Sequence, residues 1–553
     1  MARSKARVYT CCALILLILV AIIVCIAVLV RRKCPDDTFS RAAVAADSQK
    51  CSEIGRDILK QGGSAVDGAI AALLCTSIMN PQSMGVGGGS IFTVMSSSGE
   101  VKIINSREIA PQAVNPNLLK SCAAAIQITP DAQWIGIPGE IRGYEKAHKL
   151  YGKLPWAKLF QPTIQMAREG FPVPQIQGRY IPFVNDSKAL RKIFSDENGN
   201  LLKIGDIVKF EKLADTLEII ANQGADAFYN GTIAKDLIHD IQEAGGTLTL
   251  QDLASYKATV SDAWAFPLGE YQMYIPPPPA GGIILSLVLN IMKGYNLNSA
   301  SATGEEKTLT YHRYIEAFKF VNGLKKHIRD PNFSSEKFPQ KKLMEDNFAN
   351  LIRKMISSEK THDAQYYNIT PHLDSIGTTH VSVLAEDGSA VSATSSINYI
   401  FGSKVFSPRT GVILNNQLSD FCWRSKGFVV FTGEQPPSSM SPAVLKSQTK
   451  TLVIGSTGGS MITTGIASTL MNHLWFGKSL KEAIAAPVVF VNSTNAVRFE
   501  SHFDKNVIQA LKNMGHDLDT AGRFFNVVQA VEKEDGCICA VSDARKLGKA
   551  AGY

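Results

Sequence analysis

Hydrophobic residues recur along this chain with two different periods, and the change of period divides it. Between about position 50 and position 356 most apolar positions fall three or four apart, the spacing that gathers them on one helix face. That spacing predicts helices over 53–60, 69–79, 154–169, 213–222, 233–244, 283–292, 310–325 and 341–356. Gly62-Gly63 stops the first, and Ser64-Ala65-Val66-Asp67 reads as the capped start of the second. The helix at 341–356 is charged and reads as a surface helix. Two strands interrupt this part. One, at 91–94, is fed by the glycine-rich Met84-Gly85-Val86-Gly87-Gly88-Gly89-Ser90; the other, at 271–275, is halted by four prolines. After 378 a period of two takes over. It predicts strands at 381–385 and 390–394 joined by the hairpin signal Asp387-Gly388, and short strands at 452–454, near Val488 and Val497, at 527–531 and at 537–541. A helix over 461–475 follows the strand at 452–454 through Gly458-Gly459. The class is α+β, with no internal repeat.

The N-terminal end departs from both patterns. Residues 8–30 form 23 positions without a charge, enough to cross a hydrocarbon core of about 30 Å as a helix. The run exceeds the roughly 7–15 apolar residues of a cleaved signal, and basic residues rather than a small-residue cleavage site follow it. It therefore reads as an uncleaved signal anchor. Basic residues flank both ends equally and do not set orientation. Five Asn-X-Ser/Thr acceptors do: Asn185, Asn230, Asn332, Asn368 and Asn492 matter only in the secretory lumen. The expected organisation is a cytoplasmic tail (1–7), a transmembrane anchor (8–30), a stem (31–40) and an extracellular bulk, a single-pass type II membrane protein.

Six of the eight net positive charges come from Arg3, Lys5, Arg7, Arg31, Arg32 and Lys33, so the bulk carries only a small excess and a nucleic-acid partner has no support. Of ten cysteines, Cys11, Cys12 and Cys25 lie in or beside the span and Cys34 just outside it. Cys51, Cys75, Cys122, Cys422, Cys537 and Cys539 remain. Cys537 and Cys539 fall on one face of one strand, too strained to bond each other. No histidine or cysteine spacing suggests a metal site, and the glycine-rich turn at 84–90 lacks the lysine and following helix of a nucleotide loop.

The candidate chemistry starts at Gly377-Thr378-Thr379-His380. A cut before Thr378 would create an N-terminal threonine whose hydroxyl is a nucleophile and whose own α-amine is the base. Taken alone, the motif reads equally as a turn entering a strand. Gly458-Gly459, between a strand and a helix, is a physical source of N–H donors for an oxyanion, and equally a tight turn. Arg107, at the end of a strand-like run, is the residue type that binds a carboxylate bidentately.

Further segments give these residues a context. Asn105-Ser106-Arg107-Glu108, Gly377-Thr378-Thr379-His380, Asp387-Gly388-Ser389-Ala390-Val391-Ser392-Ala393-Thr394-Ser395, Asn415-Asn416, Pro437-Ser438-Ser439-Met440 and Gly458-Gly459 occur in that order. Through them the chain resembles the gamma-glutamyltransferase (glutathione hydrolase) family, from about Arg41 to Tyr553. Asn80-Pro81-Gln82-Ser83-Met84-Gly85, Ala132-Gln133-Trp134-Ile135-Gly136, the proline run ending in Ala280-Gly281-Gly282, and the terminal Ala550-Ala551-Gly552-Tyr553 look closest to its gamma-glutamyl leukotrienase branch.

The resemblance implies a four-layer α-β-β-α sandwich of the N-terminal nucleophile hydrolase type. It implies self-cleavage into a large subunit (41–377) and a small catalytic subunit (378–553) that stay together as a heterodimer. It implies small-molecule γ-glutamyl donors, glutathione and its conjugates including leukotriene conjugates, with the acyl group carried as an ester on Thr378 to water or to an amino-acid or peptide acceptor, and no cofactor. In that scheme Ser396 supports Thr378, and Gly458 and Gly459 hold the oxyanion. Arg107, Ser438 and Ser439 take the donor's α-carboxylate; Asp420, Asn398 and Gln417 take its ammonium; Cys51 pairs with Cys75. Three departures stand out. Ser396 replaces a threonine, Gln417 replaces the glutamate of several animal members, and the segment 421–437 is shorter than in well-known members. Two rival readings stay open: an N-terminal nucleophile amidase for another acyl substrate, and an unprocessed, non-catalytic cell-surface homologue.

Overall fold

Period-two alternation after 378 is realised as a hairpin, and everything else is stacked on it. The computed structural model describes residues 16–20, 34–35, 37–122, 131–334, 340–369, 377–424, 429–519 and 526–553. In chain order the strands of the two large sheets before the hairpin are β1 (Ala43–Ala45), β2 (Gly89–Met95), β3 (Val101–Ser106), β4 (Thr259–Asp262), β5 (Trp264–Leu268) and β6 (Tyr271–Ile275). The hairpin is β7 (Thr379–Leu384) and β8 (Ala390–Ser396). After it come β9 (Ala443–Lys446), β10 (Thr451–Thr457), β11 (Val527–Glu534), β12 (Cys537–Ser542) and β13 (Ala551–Gly552). The helices that matter below are α1 (Gln49–Lys60), α2 (Ala65–Met79), α3 (Glu140–Tyr151), α4 (Gly282–Lys293), α5 (Gly304–Leu324) and α6 (Met461–Leu470).

One sheet has the order β13-β1-β7-β8-β2-β3-β4 and the other β12-β11-β10-β9-β6-β5, with every pair antiparallel. The two sheets face each other through β7, β8, β10 and β11. Helices α1, α2 and α3 pack on the first sheet; α4 and α6 pack on the second.

Both faces of the hairpin are buried, and the two faces carry different chemistry. Val381, Val383, Val391 and Ala393 join the large apolar core under α2. His380, Ser382, Ser392 and Thr394 point the other way, at the second sheet. Ser382 Oγ donates to Gln529 O (3.0 Å) and Ser392 Oγ to Ile454 O (2.9 Å). The His380 ring lies between Thr394 Oγ1 at Nδ1 (2.8 Å) and Ser382 Oγ at Nε2 (3.0 Å). Burial holds its imidazole neutral, with the pKa pushed down to about 3. Farther along the interface the contact turns apolar, with Ala43, Ala45, Leu384, Val444, Val453 and Val531 in one cluster.

Close backbone approach explains the glycine run before β2. A Cβ on Gly87 would lie 2.1 Å from Ile413 O, and one on Gly88 would lie 2.2 Å from Ser396 O. The capped start of α2 is a full capping box: Ser64 Oγ accepts from Asp67 N, and Asp67 Oδ2 accepts from Ser64 N. Two expected helices are interrupted. In place of one helix over 341–356 there is a 3-10 turn at Gln340–Met344 and then a helix at Asp346–Met355. Leu343 is buried and Met344 O accepts from Asn290 Nδ2 of α4 (3.0 Å), so tertiary contacts take this carbonyl. The helix expected to reach 475 ends as α6 at Leu470 and continues as a π-turn over Met471–Trp475. Strand β1 and helix α3 had no counterpart in the sequence pattern. Residues Ala43 to Ala45 are buried throughout, so β1 shows no alternation.

Three disulfides are present among the described residues: Cys34–Cys537, Cys51–Cys75 and Cys122–Cys422. Cys51–Cys75 ties α1 to α2. The other two join residues 503 and 300 positions apart, a connectivity that spacing does not reveal. Cys539 is a free thiol. The predicted anchor lies outside the described residues apart from 16–20, which are helical and exposed. Among the described residues no helix is long and apolar enough to cross a membrane.

The contact between His380 and β10 tolerates no side chain. A Cβ on Gly455 would lie 2.1 Å from His380 Cε1. Gly455→Ala should destabilise the protein by about 1–3 kcal/mol, as overpacking of a filled core does. Thermal unfolding of the purified protein checks it; an unchanged melting temperature contradicts this tight packing.

Candidate active site

Thr378 begins where the sheet begins, and each of its polar atoms is held. Its N–H donates to Ser83 O (3.0 Å). Its Oγ1 lies 3.0 Å from Ser396 Oγ, at the far end of β8. Its carbonyl accepts from Lys546 Nζ (2.7 Å). The residue is 4 % exposed and has φ of +84°, the left-handed region that a β-branched side chain avoids. A Cβ on the preceding Gly377 would lie 2.2 Å from Asn398 O, so only glycine fits before the strained residue. The bond between Gly377 and Thr378 therefore joins a half-buried glycine to a strained residue whose own polar atoms are all held.

From Thr378 a bonded path leads to a buried ion pair. Ser396 Oγ accepts from Asn398 N (2.8 Å), and Asn398 Nδ2 donates to Asp420 Oδ1 (3.1 Å) and Ser419 Oγ (2.9 Å). Asp420 Oδ2 accepts from Gln417 Nε2 (2.7 Å) and Arg107 Nη2 (2.8 Å). Arg107, just past β3, is 1 % exposed and also donates to Pro436 O and Pro437 O. Among the described residues its Nη1 has no partner, and neither does Gln417 Oε1. Burial raises the Asp420 carboxyl pKa, and the Arg107 guanidinium opposes that rise. Ser438 and Ser439 are buried beside Pro437; Ser438 Oγ accepts from Met440 N (3.0 Å). Asn415 clamps the neighbouring loops, donating to Gly87 O and Gly136 O and accepting from Gly136 N and Gln417 N.

Gly458 and Gly459 leave β10 with φ of +105° and +58° and lead through Ser460 into α6. Their carbonyls accept from Met461 N and Ile462 N at the helix start. Contacts along β10 step from Ile454 against Ser392 to Gly455 against His380, so the strand runs toward the Thr378 end of the hairpin. Thus Thr378, Ser396, Asn398, Gln417, Asp420 and Arg107 form one hydrogen-bonded constellation. The glycine pair ends β10, which packs over the hairpin that carries Thr378 and Ser396. The sequons are scattered elsewhere: Asn185, Asn230, Asn332 and Asn368 are exposed, whereas Asn492 is half-buried with Nδ2 on Asp519 Oδ2 (3.1 Å).

Three groups escaped the sequence reading. Glu108 is fully buried, both carboxyl oxygens lack partners among the described residues, and burial pushes its pKa up to about 8 against the pull of Arg107. A protonated Glu108 leaves the Arg107 charge to its ion pair with Asp420. Lys546 and Asp47 pair behind Thr378 (2.6 Å); an acid closing the apolar run Ala42 to Ala46 was the available signal. A third cluster joins His312 and Glu316 of α5 to His516, with candidate ligand atoms within 4.8 Å of one another. Lys319 Nζ lies 3.0 Å from His516 Nδ1 and 3.7 Å from Glu316 Oε1, so these atoms already serve an internal cation.

A threonine hydroxyl bonded to a second hydroxyl and linked to a buried arginine–aspartate pair suits transfer from an amide that carries an amino-acid head. The comparisons with known proteins agree. The sequence profile described as gamma-glutamyltranspeptidase matches residues 51–553. The chain belongs to the gamma-glutamyltranspeptidase family. It is 46% identical over 546 residues to the glutathione hydrolase 5 proenzyme of Rattus norvegicus, covering 94% of each chain. It is 44% identical over 554 residues to the glutathione hydrolase 5 proenzyme of Homo sapiens, again covering 94% of each. Among solved structures, cephalosporin acylase from Bacillus halodurans superimposes with a TM-score of 0.81 at 25% identity, over 95% of this chain and 97% of that one. The mixed α/β fold is the one these hydrolases share.

The Glu108 carboxyl gives this family member a pH signature. Its folded pKa (about 8) stands above the ordinary 4.5, so between those values the native state holds a proton that the unfolded chain releases. Stability from this group is present below about pH 4.5 and falls as pH rises toward 8. Glu108→Gln should flatten the decline in melting temperature between pH 5 and pH 8. Parallel pH profiles for wild type and variant would contradict a protonated Glu108.

Proposed function

We propose that this protein is an extracellular, membrane-anchored γ-glutamyl hydrolase and transferase that matures by cutting itself between Gly377 and Thr378. The observation that carries the reading is the bonded path from Thr378 Oγ1 through Ser396 and Asn398 to the Arg107–Asp420 pair. It spans a nucleophile and a receptor for a zwitterionic head, the two ends of a γ-glutamyl amide. Glutathione and glutathione conjugates are the donors this reading names, as the names of the curated relatives suggest.

The steps follow from the groups present. In maturation the Thr378 hydroxyl attacks the Gly377 carbonyl carbon. Its proton passes to the departing Thr378 nitrogen as the C–N bond breaks with help from the strain at Thr378. Water then hydrolyses the resulting Gly377 ester to a carboxylate and a free Thr378 hydroxyl. The new α-amine is then the base. A donor's α-carboxylate takes Arg107 Nη1 with Ser438 and Ser439, and its α-ammonium takes Asp420, Asn398 and Gln417. The amine accepts the Thr378 hydroxyl proton as Oγ1 bonds to the γ-carbonyl carbon. The oxyanion is held by the N–H groups of Gly458 and Gly459 at the positive end of α6. Collapse breaks the amide C–N bond, and the ammonium of Thr378 returns its proton to the leaving amine. Water or an acceptor amine then attacks the Thr378 ester by the reverse path.

Two stacked sheets with helices on both outer faces support the four-layer sandwich reading of the architecture. The sequons and the apolar run at 8–30 support the anchored, lumenal orientation. Cys34–Cys537 and Cys122–Cys422 each bridge the proposed cut, so the large and small subunits stay covalently joined.

Two experiments test this. N-terminal sequencing of the reduced, deglycosylated ectodomain should find a small fragment beginning at Thr378, absent in Thr378→Ala. Without reductant both fragments should migrate as one band. A single chain under reducing conditions would favour the unprocessed, non-catalytic reading. Separately, Gln417→Glu places a second anion beside the ammonium site and should lower the donor Michaelis constant a few-fold. An unchanged constant would remove Gln417 from ammonium binding.

A further inference from the structure

The carbonyl of the nucleophile residue carries a contact that the transfer scheme leaves unused. Lys546 Nζ donates to Thr378 O (2.7 Å) and to Asp47 Oδ2 (2.6 Å). Asp47 Oδ2 also accepts from Thr379 Oγ1 (2.5 Å), and its Oδ1 accepts from Gln529 Nε2 (2.6 Å). Gln529 Oε1 in turn accepts from Asp543 N (3.2 Å). Lys546 is nine-tenths buried and sits on the short turn Ala544–Lys546 before β13. Pairing of β13 with β1 brings that turn down on Asp47. A Cβ on Gly548 would lie 2.7 Å from Ala46 O, so the approach depends on a glycine there. A lysine in such a place is built in, not a surface side chain that happens to reach inward.

The geometry points to Lys546, held by Asp47, as a positioning residue that fixes Thr378 and keeps its α-amine a free base. The inference rests on the reading of Thr378 as an N-terminal nucleophile. An α-amine ordinarily titrates at about 7.7–8.0, so near neutral pH much of it would be protonated and unable to accept the hydroxyl proton. A cation bonded to the carbonyl oxygen of the same residue disfavours a second positive charge on the amine three bonds from that oxygen. Asp47 touches the lysine and the next residue's hydroxyl, not Thr378 itself, so the cation is the closer charge. The other charged or titratable groups around this amine reach it less directly. His380 follows on β7 and is neutral. Glu140 lies behind Ser395 of β8 (2.9 Å). Asp420, paired with Arg107, is linked through Asn398 and Ser396. Asp543 stands behind Gln529 and is paired with Arg545.

The test is the pH dependence of kcat/KM for processed protein with a chromogenic γ-glutamyl amide, in wild type, Lys546→Met, Lys546→Arg and Asp47→Asn. The acidic limb reports the base of the free enzyme. Lys546→Met should move it upward by about one unit, a roughly tenfold loss below the limb, carried by kcat with KM held. Lys546→Arg should restore the midpoint. Asp47→Asn, which removes the compensating anion, should move it downward. A slower Lys546→Met enzyme with an unshifted limb would overturn the inference, leaving a scaffold role. So would a shift of Asp47→Asn in the same direction as Lys546→Met, and so would failure of both variants to yield a Thr378-terminated fragment. Wild type that starts at Thr378 but turns over only another acyl amide overturns the γ-glutamyl reading alone, and the same profiles are then taken on that amide. Wild type left uncut overturns both.

Discussion

The rest of the site depends on how Thr378 is held. Its backbone is in a left-handed conformation that a threonine adopts only under constraint. The constraint is visible atom by atom, from Ser83 at the amide, Ser396 at the hydroxyl and Lys546 at the carbonyl. These three partners come from the loop after α2, from β8 and from the turn before β13. They meet because β7 lies between β1 and β8 in the first sheet. A change that slips the β7 register would move the hydroxyl, the amide and the carbonyl together.

The polar inter-sheet layer belongs to the same design. A purely apolar interface would let the sheets slide with little directional cost. Here the His380 ring, the Ser382 and Ser392 hydroxyls and the carbonyls of Ile454 and Gln529 fix one alignment of β7 and β8 over β10 and β11. Each of these polar groups is paired, as buried groups must be if they are not to destabilise the fold. That alignment sets where the Gly458–Gly459 end of β10 lies relative to Thr378. Within the constellation, and among the described residues, Arg107 Nη1 and Gln417 Oε1 lack partners and lie at its ion-pair end.

What was legible in the sequence follows from how local each signal is. The hairpin β7–β8, the strand β6 and the capping box of α2 rest on contacts within a few residues and were readable directly. Strand β1 was not, because a strand buried on both faces has no alternation to read. The break at Met344 was hidden because a residue more than fifty positions away, Asn290, takes its carbonyl. Thr378, Arg107 and Asp420 were recognisable only as matches to a family pattern; their bonding path was not. Lys546 and Asp47 are 499 positions apart and carry no local motif, so only the closing of β13 on β1 exposes them.

That separation bears on how a chain can be cut inside its active site and keep it. Each half of the constellation takes one residue from before Gly377 and one from after. Arg107 pairs with Asp420, and Asp47 pairs with Lys546. The sheets divide the same way: β7 and β8 lie between β1 and β2, and β9 pairs with β6. A cut at Thr378 therefore breaks one peptide bond while ladder hydrogen bonds, two buried ion pairs and two disulfides still cross between the pieces. Separating them would break the β13–β1, β1–β7, β8–β2 and β9–β6 ladders together, so each sheet would be split where the two pieces meet. The fold can thus release the strain at Thr378 and gain a free amine without losing the alignment that makes the amine useful.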